Sequence, residues 1–407
     1  MGIDSLEISR IREDFPVFRH RAYLDTACYA PGCLRVARAV ADWWTSACLI
    51  STQSFEQTFA WLQPVARARA EAAKLLNASE EEVAFITSTA LGMSKIANSL
   101  PIVQGDNIVL NDLEFASNTV PWLHLRRRGL EIRRVKHVNG KLSLEDFKRL
   151  IDRRTKAVVV STVQWTTGFR VDLKRLVEVA EENGAIVVVD GMQSVGALRL
   201  DVRDTGIHYM ATQAHKWLFG GFGVGLVFCR ADLLKKLDPI NVETGNLLKD
   251  PNKVPYLQCT HLDNIADYDL GFVPTAAKFQ TCPNIPGLWG FNEALKYINE
   301  IGIIRIENRV QHLVEYALRQ LRTVAGIRIV SPLEVDQRSG IVVASTGSKD
   351  GDIALCSSLS QLGVGVSVRY QAGCGGIRVS CHFYNSEEDI DRLVSALKGE
   401  TKPLYFH

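Results

Sequence analysis

Three charged residues lie in or next to apolar segments, two of them at strand ends, and their types suit one another. Lys216 stands in Tyr209-Met-Ala-Thr-Gln213-Ala-His215-Lys216-Trp-Leu-Phe-Gly, after a short apolar strand and before a glycine-rich turn. A lysine among apolar neighbours is costly to hold as a cation, so it shifts toward the neutral amine. A neutral amine attacks carbonyl carbon, which is how a Schiff base forms. Asp190 closes the run Ala185-Ile-Val-Val-Val-Asp190. Open α/β sheets bind ligands beyond the carboxyl ends of their strands, although a lone aspartate there also serves as a helix cap or a metal ligand. Arg378 lies in Gly376-Ile-Arg378-Val-Ser380. Its rigid guanidinium fork matches a carboxylate in bidentate fashion; a structural salt bridge is the alternative.

Further positions could hold a charged ligand. Thr87-Ser88-Thr89-Ala90 falls where a strand gives way to a helix. Free N–H groups and the dipole at a helix N-terminus favour a phosphate, and a plain helix cap is the other reading. The run Gly220-Gly-Phe-Gly-Val-Gly225 precedes a strand, not a helix. It therefore fails the context required of a dinucleotide fingerprint or P-loop, and its glycines are read as letting backbone pass close to a bound cofactor.

The elements that must position these groups follow from the hydrophobic pattern. Ala157–Ser161 and Ala185–Asp190 are continuous apolar runs rich in β-branched residues, as expected of strands buried on both faces of a mainly parallel sheet. Strands are also expected at Val83–Thr87, Asn107–Leu110, Glu131–Val135 and Gly223–Arg230, with helices over 91–100, 118–128, 143–152 and 172–183. This alternation predicts an α/β domain. Residues 4–20 read as a polar helix and an extended arm, and 33–75 as helical. One long helical stretch is expected over 285–324. Short strands at 327–330, 340–344 and 376–380, with helices over 350–362 and 386–398, then suggest a smaller α+β unit. The organisation expected is an arm (1–22), a large domain (23–284, with part of the N-terminal segment packing on the small domain) and a small C-terminal domain (285–407).

The 407 residues allow a large core, and 47 basic against 45 acidic residues give a net charge of +2. That balance offers no general attraction to nucleic acid or membrane; Arg126, Arg127 and Arg128 read as a solvated helix end. Nine cysteines without a CxxC pair read as reduced thiols of a cytoplasmic protein. No secretory signal, membrane span or metal-ligand cluster is expected.

The ordered set Asp190-x-x-Gln193, His215-Lys216, a glycine turn, Arg378-x-Ser380 and Tyr384-Asn385 resembles the class V aminotransferase family. That family includes cysteine desulfurases, selenocysteine lyases, kynureninase and isopenicillin N epimerase. The resemblance runs from Tyr23-Leu24-Asp25 to the C-terminal helix. It implies a fold-type I enzyme with a mainly parallel, seven-stranded-type sheet and pyridoxal 5'-phosphate (PLP) as cofactor. By the same resemblance Lys216 holds the cofactor as a Schiff base. Asp190 pairs with the ring nitrogen and Gln193 reaches the phenolic oxygen. His215, Ser88, Thr89 and Ala90 hold the phosphate, with a packed histidine and a helix cap as alternatives. Phe115 stacks on the ring, and Gln213 lies among the cofactor contacts. Arg378 binds the substrate α-carboxylate. Phe115 stands where many desulfurases have histidine, and a phenyl ring stacks but exchanges no proton. Trp165 falls where desulfurases place a ring-contacting asparagine; Gln164 is the candidate substitute. Thr281 resembles the residue that reaches a neighbouring subunit's phosphate, which implies a homodimer with shared active sites.

The reaction expected begins with loss of the Cα proton to Lys216. A small amino acid is the substrate, and cysteine desulfurase or C–S lyase chemistry leads. An aminotransferase or an epimerase is the alternative, and a non-enzymatic scaffold the remote one. Cys374, spaced from Arg369 like the sulfur-accepting cysteine of one desulfurase branch, is a candidate catalytic thiol against an ordinary loop thiol. Only three residues separate it from Arg378, fewer than in that branch.

Overall fold

The computed structural model describes residues 2–49, 55–237, 247–249, 254–255, 270–280 and 283–400. A short strand, β1 (Ala22–Tyr23), precedes seven that build the main sheet. These are β2 (Val83–Ile86), β3 (Asn107–Asn111), β4 (Glu131–Val135), β5 (Thr155–Ser161), β6 (Ile186–Asp190), β7 (Tyr209–Gln213) and β8 (Gly225–Cys229). Their order is β2-β8-β7-β6-β5-β3-β4. Only β8 runs against its neighbours; the other pairings are parallel. The apolar run of β5 pairs in register with that of β6, from Ala157 against Ile186 to Ser161 against Asp190. Covered on both faces, they need side chains of one kind throughout, which is why the runs do not alternate.

Helices between the strands seal the sheet. Leu173–Glu181 buries Leu173, Leu176, Val177 and Ala180, one face of a 3.6-residue period. The expected arm is a helix, Ser5–Glu13, followed by a 3-10 turn at Pro16–Arg19 instead of an extended segment. Residues 33–75 give two helices, Leu34–Leu49 and Phe55–Leu76. The helical stretch over 285–324 is also two helices, Ile285–Ile301 and Ile303–Leu321. Gly302 divides them at φ +92°, a backbone state costly for any residue with a Cβ. Arg126 to Arg128 form an exposed 3-10 turn, the solvated end expected.

Three further strands, β9 (Leu247–Lys249), β10 (Val254–Pro255) and β11 (Leu270–Phe272), form a small antiparallel sheet. The C-terminal part contributes β12 (Arg328–Ile329), β13 (Ile341–Ser345), β14 (Val364–Gly365), β15 (Ser367–Gln371) and β16 (Cys374–Ser380). A four-stranded antiparallel sheet runs β12-β13-β16-β15, while β14 pairs with β1. This places the Asp25–Ala30 segment that follows β1 against the C-terminal sheet. Asp25 bridges to Ser380, and the Ser380 hydroxyl accepts from Ala27 N at 3.0 Å.

An aromatic hub joins the arm to both regions. Phe15, fully buried, packs on Phe219 (5.6 Å between centroids), Phe383 (6.2 Å) and Tyr384 (4.6 Å). Phe15→Ala should therefore lower the unfolding free energy by about 3–5 kcal/mol in denaturant titration. A loss below about 0.5 kcal/mol, the size typical of surface sites, would mean that the hub is not integral to the fold.

Candidate active site

The carboxyl ends of β2, β3, β5, β6 and β7 converge on a cavity of about 360 Å³. That volume falls within the range of small-molecule sites, about 300–1,000 Å³. Its wall carries Ser88, Thr89, Ala90, Phe115, Asp190, Gln193, Gln213, His215, Lys216 and Arg378, together with Ala27, Cys28, Ser117, Ser161, Trp165, Met192 and Arg369. A larger cleft of about 520 Å³ lies elsewhere, beside Leu173 and Leu200. Its Arg170 and Lys174 are held by Glu307 (2.7 Å) and Asp204 (2.8 Å), so the unengaged reactive groups lie in the smaller cavity.

Lys216 enters that cavity from the turn after β7. Burial, then the Arg378 charge, pushes its ammonium below the ordinary lysine value, and Asp190 opposes them. Its Nζ lies 6.0 Å from the centre of the Phe115 ring. The turn around it is fixed on three sides. Ala30 N donates to His215 O at 2.9 Å. Trp217 Nε1 donates to Gln193 Oε1 at 2.8 Å, and His382 Nε2 meets Trp217 O at 2.8 Å. Burial holds the His382 imidazole well below its usual range, at about 3, so it is neutral and its Nε2–H is the donor.

Asp190 is buried at the end of β6. Its Oδ1 accepts from Met192 N at 2.9 Å. Desolvation raises its carboxyl above the usual range, Glu114 adding to the effect, while the Met192 N–H and Lys216 oppose it. A carboxylate so placed is short of positive charge, and a protonated ring nitrogen would supply it. At the opposite wall Ser88 caps the helix Thr89–Ser99, its Oγ accepting from Leu91 N at 3.1 Å. The free N–H groups of such a first turn favour an anion. His215 stacks on Phe222 at 4.3 Å, and its Nδ1 has no partner. Burial, with Lys216 adding, lowers its imidazole to about 4. At neutral pH it offers a hydrogen bond, not a charge.

Arg378, 1% exposed, projects from β16. Nη1 donates to Trp165 O and Nη2 to Ser367 Oγ, both at 3.2 Å, and Asp25 Oδ1 lies 3.5 Å from Nη2. Burial brings the guanidinium down to about 10, so it keeps its charge at neutral pH, and Nε remains without a partner. Trp165, the departure noted in the sequence, thus orients Arg378 through its carbonyl. Its ring stands edge-on to Phe115 at 5.2 Å and props that half-exposed phenyl over the cavity.

Other expected residues sit differently. Gln164 is fully buried behind the wall, its Nε2 donating to Glu114 Oε1 at 3.1 Å, so it does not line the cavity. Gln193 lines it, but its Nε2 donates to Ala27 O at 3.1 Å and its Oε1 is taken by Trp217. The glycine turn packs on protein: a Cβ at Gly220 would meet the Phe291 ring at 2.6 Å, and one at Gly225 would strike the Thr212 carbonyl. At these two glycines the close approach is between elements of the chain. Thr281 lies outside the described residues.

Cys374 is also off the cavity wall. It opens β16 after a two-residue turn, Ala372 (φ +49°) and Gly373 (φ +80°), and pairs with Gln371. Its sulfur fills the space beside Gly140 and Thr167, and burial raises its thiol above the usual range. The loop expected to carry it is a strand, because the hairpin is too tight to leave the residue free.

Sequence reading missed Glu114 and Cys28. The buried Glu114 carboxylate accepts from Asn111, Asn118 (2.7 Å), Ser161 N (2.8 Å), Ser161 Oγ (2.6 Å) and Gln164. Five donors fix the residue next to Phe115; its place immediately before that ring was the available signal. Among the described residues no His, Cys, Asp and Glu group could hold a metal, and no helix is long and apolar enough to cross a membrane.

Known proteins share this arrangement of the chain. The family model Aminotransferase class-V matches residues 22–393. A cysteine desulfurase of Klebsiella pneumoniae (strain 342) is 31% identical, with 97% of this chain and 98% of that protein aligned. A probable cysteine desulfurase of Methanothermobacter thermautotrophicus is 27% identical over 95% of this chain and 96% of its own length. Among solved structures, the apo cysteine desulfurase from Thermococcus onnurineus NA1 superposes with TM-score 0.83 at 22% identity, covering 97% of this chain and 98% of that one. The cystine C-S lyase C-DES in complex with its reaction product, cysteine persulfide, gives TM-score 0.84 at 20% identity, covering 96% of this chain and 100% of that one.

Proposed function

The chain belongs to the class V aminotransferase family of PLP-dependent enzymes, and from that premise we propose that it removes sulfur from L-cysteine and leaves alanine. The observation that carries the reading is the convergence of Lys216, Asp190 and Arg378 on one cavity, in a chain whose full-length relatives include cysteine desulfurases.

The residues fit PLP. Lys216 offers an amine without a partner to the aldehyde, Asp190 a buried acceptor to the ring nitrogen, and Phe115 a face to the ring. Ser88, Thr89, Ala90 and His215 offer N–H and hydroxyl donors to the phosphate. When bound, the cofactor supplies an electron sink for charge at the substrate Cα. Arg378 clamps the α-carboxylate through its fork, and Trp165 O and Ser367 keep that fork in register. The Lys216 amine would take the Cα proton and return it.

Proposed alongside this reading are the division into residues 23–284 and 285–407 and a homodimer with shared sites. The exposed rings of Tyr29 and Phe222, stacked at 5.1 Å beside His215, are apolar surface that a second subunit would cover.

Incubation with L-cysteine and a thiol reductant should yield alanine and sulfide in equal amounts. Exchange of Cα deuterium without alanine would favour the epimerase alternative. A keto acid would favour the aminotransferase.

The lowered Lys216 ammonium sets a pH dependence. The neutral amine is the reactive form, and its fraction grows as pH rises through its pKa. Uptake of PLP by apo-protein, followed by absorbance, should therefore accelerate with pH with a midpoint below the free-lysine value of about 10.4. A midpoint at or above that value would contradict the burial effect.

A further inference from the structure

We propose that Cys28, not Cys374, is the sulfur-accepting nucleophile of this enzyme, an inference that rests on cysteine being the substrate. Of the described cysteines, Cys28 alone lines the cavity that holds Lys216 and Arg378. Cys229 and Cys381 are buried in the core, and Cys374 is locked in the β16 ladder. Cys259 and Cys282 lie outside the described residues.

The cavity shows by other groups that a ligand belongs beside Cys28. Arg378, 1% exposed, keeps Nε without a partner, and Lys216 presents its amine to the same space. A substrate held by its carboxylate on Arg378 and by its amino group near Lys216 has its side chain confined within this cavity.

The thiol is also held in place. Cys28 N donates to Asp25 O at 2.9 Å. Its neighbour Ala27 is pinned from both sides, its N–H on Ser380 Oγ (3.0 Å) and its carbonyl on Gln193 Nε2 (3.1 Å). Ala30 N is tied to His215 O at 2.9 Å, next to Lys216. Arg369 Nη2 approaches Cys28 Sγ to 3.2 Å. The thiolate is the attacking form of cysteine, and this guanidinium places positive charge beside it when it forms. Cys28 therefore stands on the wall of the cavity itself, on backbone fixed by these hydrogen bonds.

The step balances. The Cys28 thiolate attacks the substrate sulfur, forming an S–S bond as the substrate Cβ–S bond breaks. The electron pair of that bond stays with carbon, which takes up a proton and leaves as alanine. The transferred sulfur remains on Cys28 as a persulfide. Sulfur is oxidised and carbon reduced by the same two electrons, so no outside oxidant is required. A thiol reductant then supplies two electrons to release the sulfur as sulfide.

The test uses the full-length holoenzyme with L-cysteine and no reductant, followed by alkylation, digestion and peptide mass mapping. One added sulfur is expected on the Cys28 peptide, with one alanine formed per persulfide. Cys28→Ser should keep the cofactor spectrum and its change on adding L-cysteine, while alanine turnover falls at least tenfold and no persulfide is found. Cys374→Ser should behave as wild type in both readouts. Alanine formed with the extra sulfur on another cysteine, or on none, would overturn the Cys28 assignment and leave the cysteine reading standing. No alanine from the wild-type holoenzyme would overturn both.

Discussion

Alanine in place of Lys216 is expected to reduce alanine formation from cysteine by about four orders of magnitude or more, the upper range of a positioned acid–base group. Lys216 is the one amine among the residues lining the cavity. In the proposed function it serves twice, as the covalent anchor of the cofactor and as the carrier of the Cα proton. Neither neighbouring group replaces it: His215, lowered to about 4, is a weak base and stacks on Phe222, and Arg378 does not release its proton near neutral pH. The fold should be unaffected. In the apo-protein the buried amine costs desolvation, so its removal should leave the apo-protein melting temperature equal to wild type or above it. Turnover of the holoenzyme and thermal melting of the apo-protein, measured from the same preparation, separate the two effects. Retention of more than one part in a hundred of the activity would contradict the assignment.

Asp190→Asn should be the next most severe change. Asparagine keeps the shape and can still accept from Met192 N, the contact made at 2.9 Å. It cannot balance the charge of a protonated ring nitrogen. Removing one partner of a buried pair costs about 3–5 kcal/mol, which is about two to four orders of magnitude if felt in the transition state. Cofactor retention should weaken less than kcat, because the phosphate contacts proposed for Ser88, Thr89 and Ala90 would remain. Single-turnover alanine formation at saturating L-cysteine checks this. A loss below tenfold would mean that Asp190 is structural.

How far the sequence reached depended on whether a signal was local. The strands from Thr155 to Asp190 were plain from apolar runs, since burial on both faces leaves no polar positions. Asp190 stood out as a charge closing such a run and Lys216 as one just beyond a strand, whereas Arg378, inside β16, stood out only through the family resemblance. The break at Gly302 was overlooked because the apolar period continues through it on both sides. No strand is expected over Ser367–Gln371, because its hairpin turns on Ala372 and Gly373, not on an asparagine–glycine pair, and the same turn hides the place of Cys374 in the sheet. Contacts between distant segments were invisible. Cys28 reaches the cavity only because β1 pairs with β14 and Ala27 is captured by Ser380 and Gln193. Gln164 looked available but is drawn inward by the Glu114 carboxylate.

The central claim is that this cavity holds PLP on Lys216. Borohydride reduction of the purified holoenzyme, followed by peptide mass mapping, tests it most directly. A phosphopyridoxyl group on the peptide containing Lys216, with loss of the visible absorbance band, is the predicted result. A label on a different lysine, or a visible band that survives reduction with Lys216 unmodified, would contradict it.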